Sequence, residues 1–328
     1  SAMSDQELRI RALEEKIEAL QPKLANGKSF NVHGVKKQGT KKPYYYKKGI
    51  HFESEDGNFS TNLQWRAQMR FSNPGDGDPI TTADFRSDPK TSNFELRRVR
   101  MKIGGRGYKP WVKYYFEIDL QPSRTFTSSS SNASARVIDW SLDVQPWQEF
   151  GFRIGQWKIN LNRERVDSSG RQQFVERSIV NSIFTIDRQI GVMAKGRLNK
   201  GTMMDMRYYA GIFNGEGRSI NNSGKDMMKM VRFQWNPLGR DLKWRQSDVS
   251  RHEKPTLSIA AAWVGNRGNC TRWSSSGCGS LDGFAVGTNE NQFSINQVVA
   301  EVAYKHQGLS LQSEYHWKNV DDDQTGLD

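Results

Sequence analysis

Phe59-Ser-Thr-Asn-Leu-Gln-Trp-Arg-Ala-Gln-Met-Arg-Phe71 decides the fold. Successive side chains of a strand point to opposite faces, so residues two apart share a face. Here Phe59, Thr61, Leu63, Trp65, Ala67, Met69 and Phe71 share one face, and Ser60, Asn62, Gln64, Arg66, Gln68 and Arg70 share the other. The alternation is unbroken over residues 59–71, well beyond the usual globular strand of about five or six residues. A soluble sheet with one wet face shows the same alternation over a shorter run. This length suits a tilted strand that crosses a bilayer.

The pattern repeats on both sides of the long connection described below. Val99, Met101 and Ile103 oppose Arg98, Arg100 and Lys102, with a bulge expected near Arg97 because Phe94 and Leu96 have the other parity. Val112, Tyr114, Phe116, Ile118 and Leu120 oppose Lys113, Tyr115, Glu117 and Asp119, and Ile138, Trp140, Leu142 and Val144 oppose Asp139, Ser141 and Asp143. A fifth strand sets Phe150, Phe152 and Ile154 against Arg153 and Gly155. Further strands are read at 189–197, 203–213, 228–235, 256–264, 293–305 and 309–318. The fold class is therefore all-β, a transmembrane antiparallel β-barrel.

Connection lengths alternate as well. Residues 104–109, 146–148, 199–201 and 306–308 read as tight turns, and 72–92, 121–135, 160–187, 214–227 and 265–291 are long. Short periplasmic turns and long outer loops are the habit of outer-membrane barrels. Residues 236–254 depart from it, a long link on the turn side that should form a folded excursion. About eleven strands are counted, whereas single-chain bacterial barrels have even numbers, so the closing C-terminal strands are expected to be missing.

Composition bounds the alternatives. The chain has 328 residues and a net charge of +12, with a mean hydropathy of −0.77. It holds no apolar run long enough for a membrane helix, a test that transmembrane strands escape because only every second residue meets lipid. Residues 1–3 read as a cloning scar. In 4–26, Ile10, Leu13, Ile17, Leu20 and Leu24 form a heptad seam, an N-terminal coiled coil marginal on its own. Residues 27–57 read as a basic periplasmic linker, and 58–328 as the barrel. Lysines surround Tyr44-Tyr-Tyr46, an arrangement that can stack on nucleic acid but reads as a basic tether beside the membrane, so no nucleic-acid partner is expected. Cys270 and Cys278 sit close together in a Gly/Ser-rich segment without metal-ligand spacing and are expected to form a disulfide.

The connection from 160 to 187 is rich in arginine, yet carries Phe174, Val175, Ile179, Val180, Ile183 and Phe184. Long structureless connections in compact domains are usually functional or disordered, and this one must pack against something. It is expected to fold into the lumen and set the width and charge of a pore. Phe174-Val-Glu-Arg-Ser178, then Asp187-Arg-Gln-Ile-Gly-Val192 and Tyr208-Tyr-Ala-Gly-Ile-Phe-Asn-Gly215, together with Leu96-Arg-Arg-Val-Arg-Met-Lys-Ile-Gly-Gly105, Arg153-Ile-Gly-Gln-Trp157 and Val231-Arg-Phe-Gln-Trp-Asn-Pro237, resemble the phosphate-selective porin O and P family over roughly 58–318. The resemblance implies a sixteen-stranded outer-membrane barrel and a homotrimer, with the third loop folded inward and a line of arginines guiding anions. It implies the same N-terminal coiled-coil stub. Where the family often has Gly-Arg-Phe, this chain has Gly155-Gln-Trp157, one basic group fewer near the constriction.

Pores select anions by lining the wall with Arg and Lys, and arginine suits phosphate through its planar fork. Lumen parity is shared by Arg66, Arg70, Arg98, Arg100, Lys102, Arg153 and Arg232, the expected anion pathway. Arg163, Arg165, Arg171, Glu176 and Arg177 belong to the expected constriction loop. The plainer reading of any one arginine is a wall residue paired with a lumen acid such as Glu117, Asp119, Asp139 or Asp143. Expected partners are the lipid bilayer with its lipopolysaccharide and small anions such as phosphate, with no cofactor and no metal. Histidines 33, 51, 252, 306 and 316 lack metal-ligand spacing, and no phosphate loop, GxSxG or CxxC motif is present, so no enzyme is expected. The alternative is a soluble or surface β-sheet protein that binds polysaccharide on Trp65, Trp140, Trp157, Trp235 and Trp263. Four of these tryptophans have apolar-face parity, and Trp157 does not.

Overall fold

A computed structural model describes residues 43–72, 93–120, 135–174, 177–222, 224–274, 277–284 and 291–323, all within the compact unit Pro43–Asp328. The expected coiled coil at 4–26, the start of the linker, the loop 73–92, most of 121–135 and Glu176 lie outside the described residues.

Thirteen strands form one antiparallel sheet in chain order. They are β1 (Tyr44–Tyr46), β2 (Ile50–Glu53), β3 (Ser60–Ser72), β4 (Asn93–Gly107), β5 (Lys109–Asp119), β6 (Arg136–Val144), β7 (Gly151–Lys158), β8 (Arg188–Leu198), β9 (Met206–Phe213), β10 (Met228–Trp235), β11 (Thr256–Gly268), β14 (Phe293–His306) and β15 (Leu309–Asp322). The short hairpin β12 (Arg272–Ser274) and β13 (Gly277–Gly279) stands apart from it. Two one-turn helices, α1 (Arg163–Val166) and α2 (Val180–Phe184), lie between β7 and β8. No described helix is long and apolar enough to cross a membrane, which says nothing about strands.

Each strand expected from period-2 patterning is present. The linker expectation needs one correction, because β1 and β2 lie inside 27–57 and extend the sheet beyond β3. Gly49 allows this with φ +139°, where a Cβ would meet Asn62 Oδ1 at 2.4 Å and the Leu63 carbonyl at 2.7 Å. Tyr45 stacks on His51 with ring centroids 4.8 Å apart, so one ring of the lysine-flanked tyrosine run packs against its own hairpin.

Bulges set which side chains face inward. Gln68 pairs with Arg98 and Met69 with Leu96, which leaves Arg97 as the extra residue where parity demanded one. A second shift was not legible. Glu117 pairs with Asp139 and Ile118 with Val137, skipping Ile138. Ile138, expected on the apolar face, is therefore buried, and Val137 takes the exposed position.

The sheet is inside-out by the standards of a soluble protein. Trp65, Met69, Phe71, Phe233, Tyr315 and Trp317 are at least half exposed. On the opposite face Arg232, Gln234, Ser258, Gln297 and Glu301 are buried. That polar face is concave. Arg66 on β3 reaches Ser169, and Glu301 on β14 accepts from Arg163 of the same connection. Nine inter-strand steps of about 4.8 Å would separate β3 from β14 by about 43 Å in a flat sheet, yet residues 163–169 span at most about 20 Å even when extended. The sheet must curl round the connection. β1 and β15 are its two ends, and no pairing between them is among those described.

Gln307 and Gly308 both have positive φ, 47° and 98°, which gives the β14–β15 link the tight two-residue turn that matches strand twist.

Candidate functional site

Residues 159–187 cross the concave face, and their roots are apolar. Ile159, Leu161 and Ile186 are almost fully buried with Trp157, Met193 and Phe213 in the main hydrophobic cluster. Phe174 and Ile179 of the same connection lie outside this cluster and are largely exposed.

The first turn of α1 is held by the wall. A helix leaves its first N–H groups without partners, and Asn162 at the N-cap makes no side-chain cap. Glu301 accepts from Arg163 N at 3.1 Å, and Glu314 of β15 accepts from Glu164 N at 2.7 Å and from Asn162 Nδ2 at 2.8 Å. Glu301 also binds Arg232, whose Nη1 lies 2.9 Å away, and sits 3.4 Å from Arg163 Nε. All three side chains are essentially sealed from solvent. Farther along, Arg66 Nη2 donates to Ser169 Oγ at 2.9 Å, Lys318 Nζ to the Ile183 carbonyl at 3.3 Å, and Gln297 Nε2 to the Phe184 carbonyl.

The excursion 236–255 meets this loop from the turn side. Arg163 Nη1 donates to the Lys243 carbonyl at 2.7 Å, and the guanidiniums of Arg163 and Arg232 lie 5.4 and 4.9 Å from the Trp244 ring centroid. Gln246 N donates to Asp167 Oδ2 at 3.0 Å, and Gln173 N to Gln246 Oε1 at 3.1 Å. Asp248 clasps the excursion to the β14–β15 turn, accepting from Gly308 N at 2.9 Å, from His252 N at 3.0 Å and from the His252 ring. Burial raises its carboxyl, but these bonds outweigh it and hold the group at about 2. A depressed carboxyl keeps its contribution above its unfolded value and loses it only as pH falls through the folded one, so the clasp stays ionised at neutral pH. Length alone pointed to a folded segment here. Leu242 and Trp244 among charged neighbours were the available signal that it would turn inward.

Between the loop and the wall of β4–β9 lies a cavity of about 670 Å³. Its lining holds eight basic side chains, Arg100, Lys102, Lys113, Arg153, Lys158, Arg188, Lys195 and Arg207, against three acids, Glu117, Asp139 and Asp143. The acids are shared out. Glu117 lies 3.1 Å from Arg100 and 3.4 Å from Lys102, Asp143 binds Arg153 at 2.7 Å and also Lys195, and Asp139 pairs with Arg188 at 2.8 Å. Each of the first two carboxylates holds two cations, while Arg100, Arg188 and Arg207 also pair with acids outside the lining, Asp119 at 3.5 Å, Asp187 at 3.4 Å and Asp241 at 2.6 Å, so eight cations meet six carboxylates and a small positive excess remains.

The expected pathway residues divide accordingly. Arg100, Lys102 and Arg153 line the cavity. Arg66 is tied to Ser169, Arg98 is buried with Gln68 Oε1 at 3.3 Å, and Arg70 is half-buried on the same face of β3. Arg232 does not line the cavity and belongs to the Glu301 junction. In the loop, Arg163 belongs to that junction too, Arg165 pairs with Asp187 at 3.1 Å, and Arg171 is exposed. Arg177 donates to the carbonyls of Glu164 at 3.2 Å and Asp167 at 2.8 Å. Its burial, with Arg165 close by, pushes it down to about 9, still a cation at neutral pH. Burial pushes the Asp187 carboxyl up, but Arg165 and Arg188 outweigh it and keep the group well below the carboxylate range.

Gln156, at the departure from the family's pattern, does not line the cavity. Its Nε2 donates to the Ile138 carbonyl at 3.0 Å, and its Oε1 accepts from Ser219 N at 2.7 Å. Cys270 and Cys278 are joined by a disulfide across the β12–β13 hairpin. Among the described residues they make, with Glu216, the one cluster of metal-ligating type, and the bond between the sulfurs leaves no thiolate to offer.

The family model described as phosphate-selective porin O and P matches residues 68–328. No individually curated protein matches the chain. Among solved structures, the outer membrane channel DcaP of Acinetobacter baumannii aligns over 83% of this chain and 82% of its own at 13% identity, with a TM-score of 0.41.

Proposed function

Since the chain belongs to the phosphate-selective porin O and P family and is a non-enzymatic channel protein of the bacterial outer membrane, we propose that it passes small anions, phosphate among them, by diffusion along the cation-rich cavity. The eight basic side chains of that cavity, met by three acids in the lining and three more paired with them from outside it, carry the reading. In a confined, poorly screened space such an excess raises the local concentration of counter-ions. The ion pairs favour it as well, since an arginine that shares its carboxylate with a second cation can exchange partners with a passing oxyanion, and conduction needs binding weak enough for release.

In this reading the path runs along Arg66, Arg70, Arg98, Arg100, Lys102 and Arg153, narrowed by the loop that carries Arg165, Arg171, Glu176 and Arg177. Arg163 and Arg232 act as a staple for that loop. The working form is a homotrimer of closed sixteen-stranded barrels, whose apolar faces meet lipid and lipopolysaccharide. The polysaccharide alternative is disfavoured by the tryptophans. Trp65, Trp140, Trp235 and Trp263 are exposed on an otherwise apolar face, which suits a membrane interface, and Trp157 is buried on the other side.

Replacing Arg98 and Arg100 together with alanine is expected to shift the reversal potential in a salt gradient toward zero, at the same or greater conductance. An unchanged reversal potential removes both residues from the path.

A further inference from the structure

The Glu301 junction holds the α1 end of the inward-folded loop, and the hairpin β12–β13 is seated against its α2 end. α2 packs against β12 and β15. The ammonium of Lys318 on β15 ties the two together, donating to the Ile183 carbonyl of α2 at 3.3 Å and to the Thr271 carbonyl beside β12. It also lies 5.5 Å from the Trp273 ring centroid. Trp273 and Cys270 are sealed in the main hydrophobic cluster together with Ile186, which follows α2. The Trp273 indole donates to the Gly215 carbonyl at 2.6 Å.

Thr271 is held in turn by the chain at and beyond β13. Its N–H donates to the Gly279 carbonyl at 3.0 Å, and its hydroxyl accepts from Leu281 N at 2.6 Å. An isolated two-stranded hairpin is marginal at best in water, and this one pairs only three residues on each strand. The Cys270–Cys278 bond closes it. Cys270 is sealed from solvent, whereas Cys278 is exposed. The chain has two cysteines, so this bond is the one target a thiol reagent can find.

We infer that the hairpin is a redox-sensitive clamp on the inward-folded loop. With the disulfide closed, Thr271 and Lys318 hold α2 in place. Reduction by a small dithiol frees β13 and with it Thr271, which loosens the α2 end of the loop and widens the path. A thiolate of the reagent attacks Cys278 Sγ, the bond between the sulfurs breaks, and Cys270 leaves as a thiolate that takes up a proton. The reagent's second thiolate then displaces the Cys278 sulfur, which is protonated in turn. The protein gains two electrons and two protons, and the reagent becomes a cyclic disulfide. The clamp rests on the reading of this loop as the narrowing of an anion path.

The test is single-channel conductance of the purified protein, already inserted in a planar bilayer in KCl, before and after dithiothreitol, with free thiols counted on a parallel sample. Two thiols per chain should appear and conductance should shift upward. Washing out the reductant and adding diamide, which takes the two electrons back, should return conductance to its starting level. The double variant Cys270→Ser, Cys278→Ser should start at the raised conductance and ignore dithiothreitol. Should that variant not fold, the inserted wild-type protein still decides, because it needs no refolding. Lys318→Met cuts the link between hairpin and α2 and should lose the response to dithiothreitol, since coupled changes do not add. Two free thiols with unchanged or lowered conductance overturn the clamp. A bond that yields no thiols in the folded protein overturns its redox sensitivity, and a full response in Lys318→Met overturns the link. Anion-selective current that ignores dithiothreitol sinks the clamp alone, whereas cation-selective current before any reductant is added sinks the channel reading beneath it.

Discussion

Glu301→Ala is expected to release the inward-folded loop and to cost about 3–5 kcal/mol of stability, the usual consequence of removing one partner from a buried ion cluster. Among the described residues, Glu301 is the one acid in ion-pair contact with Arg163 and Arg232, and it accepts the Arg163 backbone N–H as well. Its loss leaves two guanidiniums beside the Trp244 ring with no counter-charge between them. Since α1, the excursion and β10 all meet at this point, the loop should swing away from the wall, and single-channel conductance should rise as denaturant resistance falls. Glu301→Gln keeps the shape and one acceptor and should fall between the two. Wild-type conductance and stability in the alanine variant would mean that the loop is held elsewhere.

Ala300→Arg, one residue away, is expected to act through the opposite face. Ala300 is exposed near the middle of β14. In water a long charged side chain there would be nearly neutral, but on a lipid-facing strand near mid-depth it should cost about 2–4 kcal/mol. Denaturant titration of the protein folded into lipid vesicles measures this directly. A cost within a few tenths of a kcal/mol would place that face in water and revive the soluble-sheet alternative. The neighbouring substitutions thus report on the two sides of one strand.

Much of this was legible because strand parity is a local property. The alternation from Phe59 to Phe71 named the inward residues of β3 without reference to any partner, and the parity break at Arg97 placed its bulge. Parity failed where it depended on a partner strand. The skip at Ile138 follows from how β6 meets β5, and nothing in residues 136–144 announces it. Gln156 read as a missing charge near the constriction because the family often has Gly-Arg-Phe where this chain has Gly155-Gln-Trp157. Its burial comes from Ser219, more than sixty residues on, closing over it.

The site followed the same division. Arg100, Lys102 and Arg153 could be assigned to the cavity by parity, but their sharing of Glu117 and Asp143 is a matter of register between strands. The hairpin at 44–53 was hidden by its lysines, which read as a tether, although Gly49 marks the place where the chain had to pass close against β3.

The sign of the reversal potential tests the central claim most directly. With the purified protein in a planar bilayer and a KCl gradient across it, the excess of cationic side chains predicts a potential of the sign set by chloride, reduced by high salt as the lining is screened. A potential of the sign set by potassium, or no conductance at all, would contradict the account.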